Sequence, residues 1–86
     1  MSGKILYFSS VCPDTPAFVA ELERLNIAYT AVNITESMPN LKQFLALRDT
    51  RPEFDVKKEH NQVGVPVLKL ENDALIFDVS ELESQA

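Results

Sequence analysis

The first half of the chain contains two different patterns of apolar and polar positions. Residues 4–8 form a short apolar run, which is typical of a strand buried on both faces of a sheet and therefore central. Between positions 13 and 25 apolar residues recur at helical spacing with charged residues between them, which predicts a helix. Residues 27–34 are rich in β-branched residues and predict a second strand. This strand–helix–strand unit predicts parallel pairing with a right-handed crossover.

Helical signals dominate the middle of the chain. Ser37 is a suitable N-cap for a helix with Pro39 in its first turn, which we expect to end near Asp49. The segment Thr50-Arg51-Pro52-Glu53 matches a capping box, so it predicts a second, short helical piece that runs through Lys57.

Strand signals return after Gly64, which breaks the helical pattern. Residues 67–70 and 74–77 predict two strands, and the polar turn of residues 71–73 between them predicts an antiparallel hairpin. Residues 80–83 have the pattern of a helix start, and the sequence after them allows one to two turns.

Composition narrows the class of protein. The chain has 86 residues, of which 45% are hydrophobic, and this suits a single domain, residues 1–86, with a modest core. The formal net charge of −5 argues against a nucleic-acid-binding surface. No leader-like segment and no long apolar span occurs. We therefore expect a cytoplasmic monomer that binds neither nucleic acid nor membranes.

The candidate chemistry centres on Cys12, which lies where the first predicted strand gives way to the first predicted helix. A thiol at a helix N-terminus ionises below the free-thiol pKa of about 8.5, because unpaired N–H groups and the helix dipole stabilise the thiolate. With one cysteine the chain has no internal disulfide, and Cys12 with His60 alone makes no zinc site. We expect His60 at the surface near a helix end. The plain alternative for Cys12 is a small buried apolar side chain.

The start of the helix after Cys12 has two interpretations. Pro13 suits the first helical position, which would make Cys12 the N-cap with its sulfur facing outward. Asp14 is the alternative N-cap, and a carboxylate that points inward would then oppose ionisation of the thiol. Pro16 slightly favours the second interpretation, because a helix tolerates proline only in its first turn.

The order of elements, with Cys12 at the first strand-to-helix junction, resembles the thioredoxin fold in its compact glutaredoxin form. Two motifs carry the resemblance. Cys12-Pro13-Asp14-Thr15 matches a Cys-Pro-x-x active-site turn, and Gly64-Val65-Pro66-Val67 matches the loop that holds a cis proline facing the active cysteine. Together with residues 33–38 and 44–49, the Cys-Pro-Asp-Thr turn is similar to that of a group of bacterial glutaredoxin-related proteins.

This resemblance implies a fold and a chemistry. The fold is α/β, a four-stranded mixed sheet with flanking helices and an extra short helix before the cis-proline strand. Cys12 is implied as the nucleophile, and the backbone at Val65-Pro66 would dock the disulfide partner by local strand addition. Taken alone, an X-Pro bond is more often trans.

Three departures from glutaredoxins shape the expected activity. Thr15 occupies the position of the second cysteine, which leaves a monothiol cycle on mixed disulfides in which Thr15 can only hydrogen-bond to the sulfur. Ile76-Phe77 replaces the Gly-Gly pair that admits glutathione. The lysine that usually precedes the turn is also missing, with Arg48, Arg51 or Lys57 as substitutes.

The expected partner is a disulfide-bearing protein or a low-molecular-weight thiol. We expect no cofactor and no metal, and glutathione stays open as a co-substrate. One competing hypothesis is a non-enzymatic thioredoxin-fold module that binds a protein in its cleft. A third, ranked last, is an iron–sulfur cluster held through Cys12.

Overall fold

One mixed sheet organises the chain, in a computed structural model that describes residues 3–85, with side chains for residues 3–84. The strands are β1 (Ile5–Phe8), β2 (Thr30–Asn33), β3 (Val67–Lys69) and β4 (Leu75–Ile76). Their order across the sheet is β2-β1-β3-β4, with β2 parallel to β1 and the other neighbours antiparallel. The predicted interior position of the first strand and the predicted hairpin are both confirmed.

Helical segments connect the strands. They are α1 (Thr15–Arg24), α2 (Met38–Thr50), α3 (Asp55–Glu59) and two 3₁₀ segments, Pro52–Phe54 and Val79–Gln85. The short helix predicted before the third strand is present, as a 3₁₀ turn that leads into α3. The predicted final helix is present as a 3₁₀ segment, and Ala86 lies outside the described residues. No described helix has the length and apolar character needed to cross a membrane.

The two predicted caps of the middle region have different outcomes. The Ser37 hydroxyl accepts a hydrogen bond from the Asn40 N–H at 3.3 Å, so this N-cap prediction is confirmed. The capping box at Thr50 is wrong. Helix α2 runs through Thr50, whose hydroxyl donates to the Ala46 carbonyl at 2.9 Å, and Glu53 pairs with Arg51 instead.

The sheet divides the core into two clusters because successive side chains of β1 point to opposite faces. Leu6 faces α1 and the C-terminal 3₁₀ segment, and Tyr7 faces α2 and the 52–54 segment. The buried residues on the α1 face are Leu6, Phe18, Leu22, Leu68, Leu70, Ile76 and Leu82. Those on the α2 face are Tyr7, Val32, Ile34, Phe44, Phe54 and Val67. The sheet is therefore covered on both faces, as a strand pattern without polar interruption predicts.

This architecture is the α/β thioredoxin-like fold that the sequence resemblance implies. A β-α-β unit supplies two parallel strands, a short helix leads into the antiparallel hairpin, and helices cover both faces of the sheet.

Leu6 tests the dependence of the fold on the central strand. It is fully buried at the middle of the sheet, so Leu6→Ala should lower the free energy of unfolding by about 2–5 kcal/mol through lost burial and a residual cavity. Urea titration followed by circular dichroism measures this change. Val56→Ala is the control, since Val56 is 60% exposed and its truncation should change stability by less than about 0.5 kcal/mol. Equal losses in the two variants would contradict the central role of β1.

Candidate active site

Three segments of the chain meet at one end of the sheet. The parallel strands β1 and β2 both end there, and the antiparallel strand β3 begins there. Consequently the loop of residues 9–14, the loop of residues 34–37 and the segment 62–66 lie side by side. Cys12 is in the first of these loops and Val65 is in the third.

Ser9 holds the loop that carries Cys12. Its carbonyl accepts hydrogen bonds from the Cys12 N–H at 3.1 Å and from the Thr15 hydroxyl at 2.9 Å. Its hydroxyl accepts from the Val11 N–H at 3.2 Å and bonds to the Thr35 hydroxyl at 3.0 Å. Ser9 is buried, and its bond with the Thr15 hydroxyl is shielded from water. The sequence reasoning missed this role, although a serine directly after a strand and before a turn is a signal for such local hydrogen bonding.

The start of α1 corrects one interpretation of the turn. The helix begins at Thr15 with Asp14 at the N-cap position and Pro16 in the first turn, so Pro13 is not the first helical residue and Cys12 is not the N-cap. The Asp14 side chain makes no capping hydrogen bond and is exposed. The physical reason is that Pro16 requires a first-turn position and thereby sets the helix start.

The Thr15 hydroxyl does not bond to the predicted partner. Its side chain is buried, and its single hydroxyl proton is donated to the Ser9 carbonyl instead of the Cys12 sulfur. The expected hydrogen bond from Thr15 to the sulfur is therefore wrong. Thr15 ties the helix start to the end of β1.

Cys12 and Val65 are brought together. The thiol is half-buried, and its Sγ lies 3.7 Å from the Val65 carbonyl oxygen, to which it donates. The Val65-Pro66 peptide bond is cis, in agreement with the resemblance. The alternatives of a fully buried cysteine and of a trans proline are thus not what the structure has.

A groove of about 440 Å³ opens beside the thiol. Its apolar walls include Val11 from the Cys12 loop, Ile34 from the loop after β2, and Val63 with Val65 from the segment before β3. Val11 is 80% exposed and Val63 is 51% exposed. Solvent therefore reaches the groove and its apolar side chains directly.

A second groove, of about 420 Å³, shares Asp14, Lys57, Gly64 and Val65 with the first and is also lined by Pro66. Asp78 and Phe77 line its far side. The N–H and hydroxyl of Ser80 both bond to the Asp78 carboxylate and lower the pKa of that carboxyl, so it is charged at neutral pH. Two carboxylates and one ammonium group thus line this groove.

Of the three basic residues proposed as substitutes for the glutaredoxin lysine, Lys57 alone lines these grooves. Arg48 Nη2 donates to the Gln62 carbonyl at 3.0 Å, and Arg51 is committed to Glu53 and to the Asp73 carbonyl. The Lys57 ammonium lies 5.3 Å from the centre of the Phe77 ring.

Phe77 is one of the two residues predicted to replace the Gly-Gly pair of glutaredoxins. Its ring packs edge-on against Phe54, with centroids 5.1 Å apart, and forms part of the second groove. Ile76 points the other way and is buried in the core on the α1 face. Of these two residues, Phe77 therefore places its side chain in the groove and Ile76 does not.

The sheet order, the flanking helices and the cis-proline loop beside Cys12 define a protein of the thioredoxin-like fold class. No protein-family model matches the chain. Over 83 residues it is 48% identical to an uncharacterized protein of Haemophilus influenzae, with 96% of each chain covered. The chain belongs to the same family as that protein.

A solved structure is similar in fold. It is a glutathione transferase homologue from Sulfitobacter with bound glutathione, and it superposes with a TM-score of 0.54 at 21% identity. The similarity covers 99% of this chain and 36% of that chain, so this chain spans about a third of the length of that protein.

Gly64 tests how the third segment is held against the Cys12 groove. Its φ is +102°, and an added Cβ would lie 2.8 Å from Phe54 Cδ1. Gly64→Ala should therefore lower the free energy of unfolding by about 1–3 kcal/mol, measured by urea titration. Gly3→Ala is the matched control, because the atom that its Cβ meets belongs to the exposed side chain of Glu71. Equal stability of both variants would show that the segment adapts freely.

Proposed function

We propose that this protein is a monothiol thiol–disulfide oxidoreductase of glutaredoxin type that acts on mixed disulfides through Cys12. The observation that carries the proposal is the contact between the half-buried Cys12 thiol and the Val65 carbonyl beside an open groove. A reactive cysteine must be both held and accessible, and this one is held by Ser9 and reached through the groove.

The reaction is thiol–disulfide exchange. The Cys12 thiolate attacks one sulfur of a mixed disulfide, forms a new disulfide with it, and releases the other sulfur as a thiolate. An external thiol then loses its proton and attacks the sulfur bound to Cys12, which restores the Cys12 thiolate and leaves the external thiol as a disulfide with the group that Cys12 had held. The external thiol is oxidised and the original mixed disulfide is reduced, so the electrons balance. Thr15 stands where a second cysteine would be, so an external thiol is required.

The backbone at Val65 supports docking of the disulfide partner. Its N–H has no acceptor among the described residues, and its carbonyl faces the Cys12 sulfur. An extended segment of the partner can therefore pair with Val65 as an added strand while its sulfur lies at Cys12. The Cys12 loop and the Val65 segment would then bind the disulfide partner together.

Cys12→Ser should reduce turnover of a mixed disulfide between glutathione and 2-hydroxyethanethiol to the uncatalysed rate. Serine keeps the size of the side chain but lacks a thiolate nucleophile. The measurement is consumption of NADPH in a coupled assay with excess glutathione and glutathione reductase. Far-ultraviolet circular dichroism checks that the variant is folded.

Equal rates for the wild type and Cys12→Ser would reject the oxidoreductase and favour the binding module. Ser10→Ala is a suitable control from the same loop, because the Ser10 side chain is exposed and contacts Asn33 at 3.3 Å instead of the thiol. We expect this control to retain the wild-type rate within about twofold, since surface substitutions have small effects.

A further inference from the structure

Two exposed apolar side chains from different segments lie beside Cys12. Among the described residues four large hydrophobic side chains are exposed, namely Val11, Met38, Val56 and Val63. Two of these, Val11 and Val63, line the groove that contains the thiol, although they come from segments about fifty positions apart in the chain. An exposed apolar pair from two different segments in one groove indicates a docking surface.

Charge differs between the two grooves. In the Cys12 groove Asp14 and Lys57 balance each other, so its character is set by its apolar walls. The second groove adds the Asp78 carboxylate and is therefore net negative. Val65 lines both grooves, so a ligand that crosses from one to the other over Val65 meets an apolar surface beside the thiol and a negative one beyond Val65.

From these two observations we propose that the disulfide partner is an extended polypeptide segment whose cysteine has an apolar residue on one side and a basic residue on the other. The apolar side chain would lie between Val11 and Val63, and the basic one would lie near Asp78. This inference rests on the proposed function and specifies the substrate class of the same site.

Glutathione fits this surface poorly in two respects. It carries more carboxylate than ammonium groups, so the negative groove disfavours it, and it has no apolar side chain to cover Val11 and Val63. The Phe77 ring also narrows the place where the Gly-Gly pair would stand. In this proposal the preferred substrate is a mixed disulfide of a polypeptide cysteine, small glutathione disulfides react more slowly, and glutathione serves as the releasing thiol.

The test uses short peptides with one cysteine bound as a disulfide to 2-nitro-5-thiobenzoate. Attack by the Cys12 thiolate on the peptide sulfur joins the peptide to Cys12 and releases the coloured thiolate, which is followed by absorbance. The cysteine is flanked by leucine and arginine in both orders, and by serine and glutamate in the comparison peptides. Each rate constant is divided by the rate constant for the reaction of the same peptide disulfide with free 2-hydroxyethanethiol. This ratio removes differences in the intrinsic reactivity of the peptide disulfides.

We expect at least one leucine–arginine peptide to react about tenfold faster than the serine–glutamate peptides, since burial of part of one leucine side chain is worth about that factor. Val63→Ser should remove most of the leucine preference, and Val56→Ser, an exposed valine outside both grooves, should leave it intact. Asp78→Asn should remove the arginine preference, which should also weaken at about 0.5 M salt through screening. Asp49→Asn is the matched control on the exposed end of α2.

A small disulfide of 2-hydroxyethanethiol with the same coloured group separates the two proposals. If this compound reacts with the wild type but not with Cys12→Ser, and the peptides show no preference, the docking inference is overturned and the oxidoreductase stands. If the compound reacts with neither protein, both proposals fail. A peptide preference that survives in both Val63→Ser and Asp78→Asn would also overturn the assigned surface.

Discussion

Strand β1 is hydrogen-bonded on both of its edges, to β2 in parallel and to β3 antiparallel, and the candidate site depends on this pairing. Parallel pairing places the loops after β1 and β2 at one end of the sheet, and antiparallel pairing makes β3 start at that same end. Cys12, Thr35 and Val65 therefore meet although they are far apart in the sequence. The full burial of Leu6 within this strand ties the geometry of the site to the stability of the core.

Two sets of contacts then hold these loops in a defined arrangement. On one side Ser9 receives the backbone of the Cys12 loop and the Thr15 hydroxyl, which holds the thiol at the groove. On the other side the ring of Phe54 packs directly beneath Gly64, and Arg48 holds the Gln62 carbonyl. Buried residues therefore hold both segments in place, and this fixes the contact between Cys12 and Val65.

Local sequence signals predicted much of the fold. The unbroken apolar run of β1, the Ser37 cap and the turn at residues 71–73 each act over a few residues, so their outcome depends little on the rest of the chain. Thr50 and Thr15 show the limit of such signals. Each can hydrogen-bond to more than one partner, and the longer helix α2 and the buried Ser9 carbonyl decided which bond formed.

The sequence by itself determined that one cysteine stands after a central strand, that no second thiol follows it at Thr15, and that a Val-Pro pair precedes the hairpin, because these are properties of residue order. Tertiary structure decided the helix start at Thr15, the role of Ser9 and the approach of Cys12 to Val65. It also decided that Val11 and Val63 share one groove and that Lys57, instead of Arg48 or Arg51, lines it. These relations join residues distant in sequence, and only the pairing of strands and the packing of helices on the sheet bring them within contact distance.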